Sequence, residues 1–133
     1  MNHSKPKLLI VDDEADQQEL MSQAFLSKPK FRHYEFLYAA NGKLALDQIQ
    51  ETDDIEIILL DINMPVMGGL EATQKLREIG CSQPIYALTA EHGSEEIRAS
   101  IDAGCNGHLT KPIEIKSFYQ TLAQYLPANP AAG

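Results

Sequence analysis

A parallel α/β sheet with helices packed on both faces is the fold this sequence predicts, and three observations predict it. Short apolar runs alternate with stretches of helical periodicity, five times along the chain. The runs are continuously apolar rather than strictly alternating, which suits strands covered on both sides. The length, 133 residues, is that of one ordinary domain and too short for two comfortable cores. Strands that alternate with helices are joined by right-handed crossovers, giving a doubly wound sheet.

Taken in order, the first strand is Lys7 to Val11, and the helix after it presents Leu20, Met21, Ala24 and Phe25 on one face. Glu35 to Ala40 is the second strand. Asn41-Gly42 then marks a turn before a helix whose apolar face is Leu44, Ala45 and Ile49. Glu56 to Leu60 is the third strand; Leu70, Thr73 and Leu76 set the third helix, and Gly80 stands where it should stop. The fourth strand is Pro84 to Leu88. Ser94 followed by Glu95 and Glu96 reads as an N-cap and an acidic first turn, which the helix dipole favours. That helix continues through Ile97 and Ile101 to Gly104. His108 to Leu109 is a short fifth strand, and Phe118, Leu122, Tyr125 and Leu126 line the last helix. The Ala- and Pro-rich stretch from Pro127 to Gly133 reads as a fraying tail or linker.

The bulk properties exclude several classes. A composition of 44% hydrophobic and 23% charged residues is that of a soluble globular chain, which at this length needs no disulfide or metal staple. A net charge of -8 argues against a nucleic-acid-binding face. Cys81 and Cys105 stand in no CxxC pattern and read as two reduced thiols. His3, His33 and His92 have no ligand spacing. Met1 to Lys7 lacks the apolar core of a signal peptide, and no apolar run reaches the roughly 20 residues that span a bilayer, so a cytoplasmic domain is expected.

Ligands of open α/β sheets bind outside the carboxyl ends of the strands. Here Asp12, Asp13 and Glu14 follow the first strand, Asp61 the third, Thr89 the fourth, and Thr110, Lys111 and Pro112 the fifth. If the first and third strands are neighbours, carboxylates converge on one edge. Two unit charges about 4 Å apart repel by about 4 kcal/mol at an effective dielectric of about 20. A cation offsets that repulsion, and hard oxygen ligands with room for water suit Mg²⁺. With Lys111 as a second positive charge and Thr89 as a hydroxyl donor, the set fits transfer of a phosphoryl group to a carboxylate. Taken singly, each residue is an ordinary cap, turn or surface residue; their joint occurrence at four successive strand ends is the signal.

The stretches LLIVDDE, AANGKLAL, IILLDINMPVMGGLEAT, IYALTAE and AGCNGHLTKPI resemble the receiver domains of two-component response regulators. The likeness covers residues 6–126, leaving 127–133 as the tail. It implies a flavodoxin-like sandwich of strand order 2-1-3-4-5, an order borrowed from the family and not read from this chain. By the same resemblance Asp61 is the phosphoacceptor; Asp13 binds Mg²⁺ directly, Asp12 mainly through a water, and Asn63 by its backbone carbonyl. Lys111 pairs with the phosphoryl oxygens, and Thr89 moves to bond them. Pro112 follows a cis bond, and Asn63 and Glu91 tune how long the phosphoryl group survives. Pro65 and Gly69 fit the turn into the third helix. The family's rotating aromatic is His108 here, which is expected to sit packed or, alternatively, to make the switch pH-sensitive. Gly68-Gly69 replaces a common Asp-Gly, with altered loop flexibility and intact phosphorylation expected.

The implied role is a switch and not an enzyme acting on other substrates. It takes its phosphoryl group from a histidine kinase or a histidine phosphotransfer protein and re-arranges its helix 4, strand 5 and helix 5 face for a partner or output domain. No contact with nucleic acid or membrane is expected, and the unphosphorylated form is expected to be monomeric, with dimerisation through helices 4 and 5 on phosphorylation. The stretch GCNGHLTKPI looks like receivers fused to hybrid sensor kinases, while a stand-alone regulator fits the length. Two other classes are weighed. A haloacid-dehalogenase-like phosphohydrolase needs an acid two positions after its nucleophile, where this chain has Asn63. A docking module that has lost phosphorylation would lack an acid, the Thr or the Lys, and none is missing.

Overall fold

The computed structural model describes residues 6–27, 29, 32–62, 67–89 and 94–110. Along them run β1 (Lys7–Val11), α1 (Ala15–Leu26), β2 (Glu35–Ala39), α2 (Gly42–Glu51), β3 (Ile55–Asp61), α3 (Gly69–Glu78), β4 (Ile85–Thr89), α4 (Ser94–Ala103) and β5 (Gly107–Thr110). The expected fifth helix from Phe118 to Leu126, the tail 127–133, His3 and His92 lie outside the described residues. All strand pairings are parallel, in the order β2-β1-β3-β4-β5.

The continuously apolar strands produce two cores, because successive side chains leave a strand on opposite faces. Leu8 and Ile10 of β1 join Ile57 and Leu59 of β3 and Tyr86 and Leu88 of β4 on the face covered by Met21 and Phe25 of α1. Leu9, Val11, Ile58, Leu60, Ile85 and Ala87 face the other way, onto Ala45 of α2 and Ala72 and Leu76 of α3. β2 is the exception. As an edge strand it is the least covered: only Ala39 is buried, Phe36 and Leu37 are half-buried, and Glu35 and Tyr38 are exposed.

Three residues expected on helix faces are exposed instead: Leu20, Leu44 and Ile101. Each precedes or follows a residue that does pack inward (Met21, Ala45 and Ser100), and one residue is about 100° of helix rotation, enough to leave the apolar stripe. The strands also end later than hydropathy suggests. Asp61 and Thr89 are themselves strand residues, in register with Leu88 and Thr110. A polar side chain ends the apolar run but not the backbone ladder. Helix ends match expectation at Gly80 and Gly104, whose φ values of 92° and 118° are the left-handed conformation that glycine adopts readily. Asn41 is the N-cap of α2, its side chain accepting the Leu44 N–H at 2.9 Å.

At the pole opposite the acidic strand ends, Arg77 ties three segments together. Nε donates to the Gly104 carbonyl (3.0 Å), one terminal nitrogen to the carbonyls of Cys81 (2.9 Å) and Gln83 (2.8 Å), and the other to Asn106 Oδ1 (2.8 Å). Nearby, Cys105 is a buried thiol 3.5 Å from Thr73 Oγ1. Its burial raises its pKa above the ordinary 9.0. Burial, and then the adjacent Glu56 carboxylate that accepts its hydroxyl at 3.0 Å, likewise raise that of Tyr34. Both groups are held neutral in the fold, so the stability they contribute is full below their unfolded pKa values and is lost as pH rises toward the folded ones. Urea unfolding is expected to show constant stability up to about pH 8 and a decline above about pH 9, less steep in Tyr34→Phe. A profile flat to pH 11 would contradict this.

Candidate functional site

The sheet places β1 between β2 and β3, so the chain's direction of travel across the sheet reverses at the β1/β3 boundary. A crevice at that reversal is where open α/β sheets bind ligands. Val11 is in register with Leu60, which sets Asp12 and Asp61, the next residue on each chain, side by side. The two carboxylates are buried, Asp12 at 0% and Asp61 at 7% exposure, while Asp13 is exposed. One oxygen from each of Asp12, Asp13 and Asp61 lies within 4.8 Å of the other two. Glu14, the fourth acid of the sequence pattern, is not in this group. Its backbone N–H instead donates to Asp12 Oδ1 at 2.9 Å.

Three carboxylates this close are mutually repulsive, and two are shielded from water, so the cluster favours a bound cation. An all-oxygen donor set with one solvent-facing member matches a hard divalent ion that keeps some of its waters, which fits Mg²⁺. Thr89, 1% exposed, closes β4 one residue beyond Leu88, the partner of Asp61. His108 is half-buried on β5, in register with Ala87. Lys111 and Pro112, which follow β5, and Asn63, Pro65 and Glu91 lie outside the described residues.

The acidic end of β3 is held by α3. Gly69 N–H donates to the Ile62 carbonyl at 2.9 Å, and a Cβ at Gly69 would meet the Asp61 carbonyl oxygen in hard overlap and Ile62 Cα at 2.8 Å. Gly68 is the N-cap of α3 and makes no side-chain capping bond. Position 68 is thus a helix N-cap, where an Asp side chain would accept a backbone N–H and glycine cannot. Gln18 was not singled out by the sequence, and nothing in the spacing marks it. Its side-chain amide reaches from α1 to the Asp12 carbonyl at 2.8 Å.

The family model of the response regulator receiver domain matches residues 8–123. The chain is 33% identical over 132 residues to the autoinducer 1 sensor kinase/phosphatase LuxN of Vibrio campbellii, covering 99% of this chain but 15% of that protein. It is 29% identical to the chemotaxis protein CheY homolog of Campylobacter jejuni over 129 residues, covering 96% of this chain and 97% of that one. Among solved structures, chemotaxis protein CheY4 of Vibrio cholerae superposes with a TM-score of 0.80 at 30% identity, covering 92% of this chain and all of that one. The chain thus spans a small fraction of its sensor-kinase relatives and nearly the full length of its chemotaxis relatives. With the family's sequence pattern running from the first strand past the last described one, and its strand order reproduced, this chain belongs to the response regulator receiver domains of two-component signalling.

Proposed function

We propose that the domain, residues 6–126, is a phosphoacceptor switch that takes a phosphoryl group onto Asp61. The observation that carries this reading is the convergence of the Asp12, Asp13 and Asp61 carboxylates within 4.8 Å at the β1/β3 reversal. A carboxylate oxygen of Asp61 attacks the phosphorus of a phosphohistidine on a kinase or phosphotransfer protein. The P–N bond breaks, the imidazole keeps the electron pair, and an acyl phosphate forms. Asp12, Asp13, Asp61 and the backbone carbonyl of Asn63 would hold Mg²⁺, which would offset the charge of the carboxylates and the phosphoryl oxygens. Lys111 pairs with those oxygens from the end of the fifth strand.

Phosphorylation adds about -1.5 to -2 charges and new acceptor oxygens. The Thr89 hydroxyl is drawn to them, and His108 on β5 repacks as Thr89 leaves its place. The α4–β5 face, with the fifth helix, changes between two packings and is presented to a partner, an output domain or a second copy. The protein acts on its own phosphorylation state and turns over no other substrate, and a cytoplasmic setting suits its phosphodonor. Among the described residues no helix is long and apolar enough to cross a membrane.

The test is intact-mass analysis after incubation with acetyl phosphate and Mg²⁺, beside Asp61→Asn and an EDTA control. One added phosphoryl group is expected, metal-dependent and missing from the variant, with amide shifts at Thr89 and His108. No addition, under conditions that modify another receiver, would sink the reading in favour of a docking module that works without phosphorylation. Turnover of a generic phosphate ester would favour a phosphohydrolase.

A further inference from the structure

Asp12 and Asp13 leave one peptide plane, because the six atoms from Cα of Asp12 to Cα of Asp13 are held coplanar. The Asp12 carbonyl oxygen lies in that plane, and the Gln18 side-chain amide donates to it at 2.8 Å. The same nitrogen lies 3.5 Å from the Ala39 carbonyl, which also accepts the Asp12 N–H at 3.0 Å. One amide from α1 therefore spans the ends of β1 and β2 and fixes the plane from which two of the three clustered carboxylates depart. Gln18 is in turn braced from β2. The Ser22 hydroxyl donates to the Gln18 backbone carbonyl at 2.9 Å and makes a hydrogen bond with the Tyr38 hydroxyl. With its single hydrogen used on Gln18, Ser22 receives the hydrogen of Tyr38.

We propose that Gln18 is a positioning residue for the cation site, setting the Asp12–Asp13 peptide so that the carboxylates meet the strict geometry of Mg²⁺. This rests on the reading of Asp12, Asp13 and Asp61 as that site. Outer partners that orient metal ligands act through geometry, and Mg²⁺ demands near-ideal octahedral coordination while Ca²⁺ accepts irregular, flexible coordination. Loosening the peptide therefore penalises Mg²⁺ more than Ca²⁺. An effect on fold stability alone has no reason to separate the two ions.

The experiment is titration of the unphosphorylated chain with Mg²⁺ and with Ca²⁺, followed by amide NMR, with the melting temperature measured in EDTA. Gln18→Met keeps the length and removes the donor. It is expected to raise the Mg²⁺ Kd about 10-fold or more, the size typical of lost outer-shell partners, and to move the Ca²⁺ Kd much less. Gln18→Glu is expected to weaken Mg²⁺ as well, although its added negative charge would tighten it if charge alone mattered. A Mg²⁺ Kd within about 2-fold of wild type in Gln18→Met, an equal loss for both ions with a lower melting temperature, or tighter binding by Gln18→Glu would each overturn the assignment. Should Gln18→Met fail to fold, Tyr38→Phe removes only the brace; a reduced preference for Mg²⁺ supports the proposal and an unchanged one refutes it. Wild-type protein that binds no Mg²⁺ removes the cation site itself, and is distinguished because it is seen before any variant is made.

Discussion

Gly69→Ala is expected to destabilise the domain by about 1–3 kcal/mol, the range for a group forced into a filled space, and toward its upper end. The added Cβ has nowhere to go, because the atoms it meets are the Asp61 carbonyl and Ile62 Cα, backbone at the end of a central strand. A flexible side chain could turn aside; β3, paired on both sides by β1 and β4, cannot without breaking ladder bonds. The alternative is for the start of α3 to move out, giving up the Gly69 N–H bond to Ile62 and the packing of Ala72 and Leu76 behind it. The first movement displaces Asp61 and the second removes the bond that holds the chain just after it, so Mg²⁺ binding should weaken in the fraction that remains folded. Urea denaturation and a Mg²⁺ titration measure the two effects. Gly68→Ala is the control: that residue has φ -73° and ψ 169°, a backbone open to any residue, and a change below about 1 kcal/mol is expected there. Equal losses at the two positions would show that close approach is not what requires glycine at position 69.

Arg77→Met should cost about 3 kcal/mol, which at this chain length lowers the melting temperature by about 10 °C. The substitution keeps most of the aliphatic stem but leaves the carbonyls of Cys81, Gln83 and Gly104, and one bond to Asn106, without the guanidinium. These acceptors come from the α3–β4 loop and the α4–β5 turn, so the loss falls on the join between the two βα units. Asn106 extends the tie, its Oδ1 accepting the Ile85 N–H at 2.9 Å and its own N–H donating to the Ile85 carbonyl at 2.7 Å. Arg77→Lys should recover little, since one ammonium cannot reproduce a planar fork aimed at acceptors on both sides. Hydrogen exchange is expected to quicken in β5 and the end of α4 before it does in β1 and β3. A melting temperature within about 2 °C of wild type would mean that water replaces the guanidinium without loss.

Two kinds of information account for what was readable in this sequence. Periodicity and continuous apolar runs record local geometry, and they located every described strand to within a residue or so and every described helix. They failed at single residues near the margins of an apolar stripe, such as Leu20 and Leu44, because which side of the stripe turns to the sheet is decided by the helix's docking angle and not by its composition. They also stopped strands at Leu60 and Leu88, where the backbone ladder continues into Asp61 and Thr89. Those two polar side chains are carried on rigid strand ends, which suits groups that must meet a ligand with little error.

The sequence by itself determined the class of fold, the chain order of the acids, hydroxyl and amine at the strand ends, and the family to which they point. Those features are written in residue type and spacing along one dimension. Only the tertiary structure decided that Asp12, Asp13 and Asp61 draw within 4.8 Å while Glu14 turns its backbone, not its carboxylate, to the site. It alone revealed that Gln18 reaches the Asp12 carbonyl, that Gly69 is required by the closeness of Asp61, and that Arg77 joins α3 to the α4–β5 turn. The physical reason is the same in each case. These are contacts between segments distant in sequence, fixed by strand register and by the direction of single side chains. A residue's chemistry says what it can bond, and only the packed sheet says what lies within reach.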